Sequence, residues 1–332
     1  MQAFFEEGRI TKQGSSAIKG FAILLMLIHH TVLRLEGINY TAILPTGLID
    51  LIGSMGRLCV PLFVFVTGYG LLYKEITYKD TPKRIMNIWT TYFICFIAVV
   101  IIMMFLGDLP KFSIRNTLGD IFGLQRIISY EYTGLLSSWW YITTAFLLVM
   151  IAPVWVQLVK KYGVGLFVLT LFLPAVFHMT YTGDDLLFLW LPIYTLGMLV
   201  AYYKPTLSKL TSCKGLTAFG MLFGASAISV VIYYICIKLN QGFLYIRMWL
   251  PVVFLIVVIY FLCRIQWVFR ILVWFGGISF PIYCIHTLFL NLPSIMNLAQ
   301  CHWLLPTFVA LVLSILLALP INRLAKHITN KI

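Results

Sequence analysis

Lys19 and His30 stand eleven residues apart within and beside an apolar run, Ile18–Leu33, that reads IKGFAILLMLIHHTVL. Eleven residues make close to three helical turns, so in a helix the two side chains share one face, roughly 16 Å apart along the axis. Arg34, four residues past His30, continues the polar stripe. Ionisable groups at membrane depth cost about 2.5–3.5 kcal/mol on insertion scales, and they face a cavity or a partner. A neutral imidazole held in a cavity can remove a proton from a hydroxyl. The competing reading of His30 is a helix–helix hydrogen bond without chemistry. His29 points about 100° away around the helix and reads as structural. Lys19 can pair with a phosphate at the inner face or simply snorkel there.

A second group of candidates lies in the segment GISFPIYCIHTLFL, where Ser279, Tyr283 and His286 fall three to four residues apart, on one helical face. His286 either helps form a site or makes a structural hydrogen bond. In the segment YKDTPKRIMNIW, Lys79, Lys83 and Arg84 can hold phosphates; loop charge bias also accounts for them. Trp139, Trp140 and Tyr141 open another apolar run, where an aromatic interface belt is the plain alternative to substrate contact. Thr67-Gly68-Tyr69-Gly70 places small residues where helices can approach closely.

The elements that must position these residues are membrane helices. Of 332 residues, 61% are hydrophobic and only 11% charged, against about 25% charged in soluble domains. With about 20 apolar residues needed per span, the chain divides into ten, near 18–36, 56–73, 86–106, 139–159, 163–179, 186–203, 215–237, 246–263, 270–291 and 303–322. The expected fold is all-α, a polytopic membrane helical bundle forming a single integral-membrane domain over 1–332. Residues 1–17 form a cytoplasmic tail without a small-residue cleavage site. Residues 107–138 form the longest outer loop, with a short interfacial helix at Ser113–Ile128. Gly37–Met55, Thr180–Asp185 and Leu292–His302 read as further outer connections. No internal repeat is visible.

Charge sets the expected orientation. Seven cations, Arg34, Arg57, Lys111, Arg115, Arg126, Lys238 and Arg247, fall outside, and the other 17 of the 24 fall inside, with both termini cytoplasmic. The net charge of +13 follows from this bias and calls for no nucleic-acid partner. The seven cysteines contain no CxxC pair and suggest neither a disulfide framework nor a metal site.

Five segments together resemble the acyltransferase-3 family of bacterial membrane proteins. They are Lys19–His30 (a basic residue, ten positions, then His), VPLFVFVTGYGLL at 60–72, SSWWYITTAFLL at 137–148, LPIYTLGMLVA at 191–201 and ISFPIYCIHTLFL at 278–290. The resemblance spans almost the whole chain and is carried by the order and spacing of the fragments. It implies transfer of an acyl group, usually acetyl from acetyl-CoA, to a hydroxyl of an extracytoplasmic glycan. By position, His30 is then the essential histidine and Lys19 its basic partner. Many members carry Arg-x-x-Arg before the third span; here the positions read Arg84-Ile85-Met86-Asn87, with Asn87 replacing the second arginine.

The resulting expectation assigns catalysis to His30, as general base or transient acyl carrier, with Lys19, His286 and Tyr283. Acetyl-CoA, as acyl donor, falls to Lys19, Lys79, Lys83 and Arg84, and the acceptor to Arg34, Trp139 and Ser279. No metal is expected. The expected partners are a glycan acceptor and membrane lipids, and the expected location is the bacterial cytoplasmic membrane, with oligomeric state left open. The competing class is a transporter or flippase of a lipid-linked sugar or small acid, because intramembrane His and Arg also suit a substrate path. A membrane scaffold or sensor would leave the polar stripe unexplained.

Overall fold

The computed structural model describes residues 4–6, 9–107, 113–128, 134–180, 188–203, 215–238 and 246–331. A two-stranded hairpin, β1 (Phe5–Glu6) and β2 (Arg9–Ile10), precedes an otherwise helical chain. The helices are α1 (Lys12–Val32), α2 (Thr46–Met55), α3 (Cys59–Tyr73), α4 (Thr81–Leu106), α5 (Ile114–Phe122), α6 (Gln125–Ile128), α7 (Trp140–Tyr162), α8 (Val164–Thr180), α9 (Leu191–Tyr203), α10 (Gly215–Lys238), α11 (Ile246–Leu262), α12 (Gln266–Leu290), α13 (Pro293–Met296) and α14 (Leu305–Thr329). Among the described residues, six helical stretches are long and apolar enough to cross a membrane: Lys12–Val32, Thr46–Tyr73, Thr81–Leu106, Trp140–Tyr162, Gln266–Leu290 and Leu305–Thr329. Shorter apolar helices occupy Val164–Leu173, Leu191–Tyr203, Gly215–Ile228 and Pro251–Leu262. The turn bearing Asp184 and Asp185, and Lys111, Lys204, Lys209 and Lys214, lie outside the described residues.

Two expected loops are structured. The stretch expected as loop up to Met55 contains α2, which passes through a 3-10 turn at Gly56–Leu58 into α3. Its sequence, TGLIDLIGSM, carries two glycines that mask the helical period. Leu292–His302 likewise contains α13 and a 3-10 turn at Asn297–Gln300.

The chain forms two compact units, each drawn from three stretches of sequence: 1–26, 57–76 and 152–277 in the first, and 27–56, 77–151 and 278–332 in the second. The first unit is built on paired glycine crossings. A Cβ at Gly68 of α3 would run into the Tyr194 carbonyl of α9, and one at Gly197 of α9 would run into the Phe65 carbonyl of α3. Gly20 of α1 and Gly276 of α12 abut the Leu272 and Ser16 carbonyls in the same reciprocal way. Without a hydrophobic drive between helices in lipid, such close backbone approach supplies the packing. The unit is tied further by Trp155, whose Nε1–H donates to Thr195 Oγ1 at 2.9 Å, and by a Lys160–Glu75 ion pair at 3.0 Å.

In the second unit, Leu35, Ile49, Phe289, Leu290, Met296 and Trp303 form an apolar core. The stretch Ser113–Ile128 is two short helices rather than one. Gly123, at φ +69°, ends α5 in the left-handed conformation that glycine adopts at least cost. Both helices are bound inward by buried polar groups. Tyr92 donates its hydroxyl to the Asp120 carbonyl, Gln125 Nε2 donates to Tyr92 Oη at 2.8 Å, and the Asp120 carboxylate accepts from the Leu135 amide at 3.0 Å.

Candidate functional site

In the second unit, α1 ends on three imidazole-bearing contacts. The ring centroids of His30 and His286 are 5.1 Å apart, and those of His29 and His30 5.2 Å. Each ring has a different job. His29 Nδ1 lies 2.7 Å from the Gly53 carbonyl oxygen; a carbonyl only accepts, so Nδ1 donates and His29 ties α1 to α2. His286 Nδ1 faces two carbonyls of its own helix, Ile282 at 3.2 Å and Tyr283 at 2.8 Å. The same logic puts the proton on Nδ1, which leaves Nε2 of the neutral ring as a lone-pair acceptor. That residue is fully buried, and Nε2 has no hydrogen-bond partner among the described residues. A buried acceptor left unmatched costs about 1–3 kcal/mol, so its presence beside His30 needs a reason. Among the described residues the His30 imidazole makes no hydrogen bond of its own, and it is half-buried rather than sealed.

The helix carrying His286 is bolted in place from the opposite side. Trp139 Nε1–H donates to the Cys284 carbonyl at 2.8 Å, Tyr283 donates its hydroxyl to the Ser138 carbonyl, and Ser138 Oγ lies 3.0 Å from Thr287 Oγ1. Trp139 and Tyr283 are buried with these polar atoms engaged. They hold the backbone that presents His286. Ser279 is also buried. Arg34 closes the end of α1: its Nε and Nη2 both donate to Asn291 Oδ1, at 3.1 and 2.8 Å, and Nη1 donates to the His30 carbonyl at 3.0 Å.

The first unit holds a cavity of about 630 Å³, within the usual range of small-molecule sites. Lys19 lines it with Arg9, Lys12 and Lys74; Glu6 supplies the one acidic side chain among the described residues of the lining. The first two turns of α1 contribute Lys12, Ser15, Ser16 and Lys19. Thr11 caps that helix, its Oγ1 accepting from the Gly14 amide at 2.9 Å, and the first turn carries no acid. A helix N-terminus with cations beside it favours anions. Tyr69 and Tyr73, stacked with centroids 6.1 Å apart, form an aromatic wall. Lys79, Lys83 and Arg84 belong to the second unit. Arg9, Lys12 and Lys74 went unselected in the sequence because each reads equally well as a topology-setting cation.

A family model described as an acyltransferase domain matches residues 13–323. No curated protein and no solved structure matches the chain. Since the family match runs over essentially the whole helical chain, including both the His30 region and Lys19, the chain belongs to the acyltransferase-3 family and is a membrane acyltransferase.

Proposed function

We propose that the protein moves an acetyl or similar short acyl group from cytoplasmic acyl-CoA to a hydroxyl of an extracytoplasmic glycan. The observation that carries this reading is the His30 ring set 5.1 Å from the His286 ring, whose buried Nε2 has no hydrogen-bond partner among the described residues. On this reading His30 takes the proton of the acceptor hydroxyl as its oxygen attacks the thioester carbonyl. The new C–O bond forms, the C–S bond breaks, and the imidazolium returns its proton to the departing thiolate. In the imidazolium so formed, the second N–H of His30 turns to His286 Nε2, which stabilises the transient charge. His286 is thus a positioning residue, as are Tyr283 and Trp139 behind it.

The donor's phosphates suit the cavity around Lys19, where four cations and a helix N-terminus supply charge-assisted donors. Lys19 and His30 ride on one unbroken helix, roughly 16 Å apart along its axis, a spacing that suits an extended thioester carrier. The positive-inside bias supports a cytoplasmic Lys19 end, in a bacterial cytoplasmic membrane.

The test uses inverted vesicles supplied with radiolabelled acetyl-CoA from the cytoplasmic side, wild type beside a correctly folded His30→Gln protein. Label on a lumenal glycan, reduced by about 10²–10⁴ in the variant, is the expected result for loss of a general base. Full transfer by His30→Gln would overturn the assignment of His30.

A further inference from the structure

The hairpin at residues 5–10 lies outside the segment that the family model matches, residues 13–323, yet it forms part of the cavity wall. Glu6 and Arg9 are directly paired across the two strands, and both line the cavity. The hairpin is fixed at three points. The Ile10 amide donates to Tyr69 Oη at 2.9 Å. The Thr11 amide donates to the Phe4 carbonyl at 3.0 Å. Phe4, itself buried, packs edge-on against Tyr260 with centroids 5.7 Å apart. The Arg9 guanidinium is held over the Tyr73 ring, 5.4 Å from its centroid. Stacking on an aromatic face orients a guanidinium and leaves its edge N–H groups free to meet oxygen atoms in the plane.

We propose that this hairpin, outside the family-matched segment, is part of the donor site, in which Arg9 binds the phosphate oxygens of the donor and Glu6 opposes them. The inference rests on the reading of the cavity as the acyl-CoA site. It assigns opposite roles to two residues paired across the strands. Arg9 adds a bidentate-capable cation to Lys12, Lys19 and Lys74. Glu6 places a carboxylate in the lining, where it repels the same anion and competes for the same guanidinium. Donor affinity is therefore set by the balance of the pair, and a neutral ligand is indifferent to it.

The experiment measures equilibrium binding of CoA, and of pantetheine as the phosphate-free control, to the full-length protein in nanodiscs. The proteins compared are wild type, Arg9→Gln, Glu6→Gln and Lys19→Gln. Arg9→Gln should weaken CoA binding about tenfold or more, as expected for loss of one charge-assisted contact. Glu6→Gln should tighten it several-fold, and both effects should shrink as salt is raised. Pantetheine binding should not change. The opposite signs separate charge from folding, because a purely structural hairpin would weaken CoA binding in both variants and would weaken pantetheine binding too. Unchanged CoA affinity in Arg9→Gln, with a loss in Lys19→Gln, would overturn the hairpin inference while leaving the donor site intact. Failure of the wild type to bind CoA would overturn the donor reading itself and the hairpin inference with it.

Discussion

Replacing His286 by Asn should separate stability from catalysis. Asn keeps an N–H near the Nδ1 position, where the Ile282 and Tyr283 carbonyls accept at 3.2 and 2.8 Å, and removes Nε2. In the resting protein Nε2 is buried without a partner, so its loss relieves a penalty of about 1–3 kcal/mol. The smaller side chain leaves a void whose cost is of the same order. The two contributions oppose each other, and the melting temperature should stay within roughly 3 °C of wild type. Catalysis has no such compensation. When His30 becomes an imidazolium, its second N–H loses a charged hydrogen bond worth about 1.5–3 kcal/mol, or roughly 10- to 150-fold in rate. The assay is acyl transfer at saturating donor, with thermal unfolding followed on the same preparation. The expected result is a lower kcat, an unchanged KM for the donor and an unchanged melting temperature. Wild-type kcat in a stable His286→Asn protein would refute the reasoning, since the orphaned nitrogen would then have no part in the reaction.

Two further predictions concern the frame. Gly68→Leu drives a side chain into the Tyr194 carbonyl, a backbone atom that cannot swing aside, and should cost at least the about 1–3 kcal/mol typical of overpacking. A fall in melting temperature and loss of monodisperse protein are expected; an unchanged melting curve would mean that α3 and α9 do not cross so closely. At the exposed start of α4, the Thr77 amide and hydroxyl both donate to Asp80 Oδ2, at 2.9 and 2.7 Å, and hold that carboxyl below its ordinary value. A depressed native value contributes stability above the unfolded value of about 3.9 and loses it as pH falls through the native one. Amide-exchange protection of residues 77–81, corrected for intrinsic rate, should therefore stay level from neutral to about pH 4 and drop below it. In Asp80→Asn it should be low throughout.

The sequence made the long helices legible because lipid demands continuous apolar runs, and α1, α4, α7, α12 and α14 each supply one. His30 and His286 stood out for the complementary reason, as imidazoles where lipid tolerates few. What stayed hidden was mostly long-range. The partner of the hairpin amide at Ile10 is a tyrosine 59 residues away, and Arg9 finds its ring at Tyr73; no local pattern announces either. Trp139 looked like an interface aromatic because hydropathy cannot tell a ring at the headgroups from one buried against Cys284. Asp120 and Gln125 lie in the stretch that reads as a short interfacial helix, and they turn inward onto Leu135 and Tyr92. Arg9, Lys12 and Lys74 line the cavity with Lys19, a gathering of residues from separate stretches of sequence that no local pattern shows.

The reciprocal glycine contacts between α1 and α12 also set a schedule for biogenesis. Gly20 packs on Leu272 and Gly276 on Ser16, and His30 meets His286, so the first helix made is completed by the residues of a helix about 250 positions later. At the usual 5–20 residues per second, that is a wait of roughly 10–50 s during synthesis. Throughout it, the Lys19 side of α1 has no mate from α12. The nascent chain must be sheltered by the insertion machinery or by lipid headgroups for that interval. A ribosome stalled before residue 272 should leave a first helix that is readily extracted or degraded, and one stalled well past residue 290 should not.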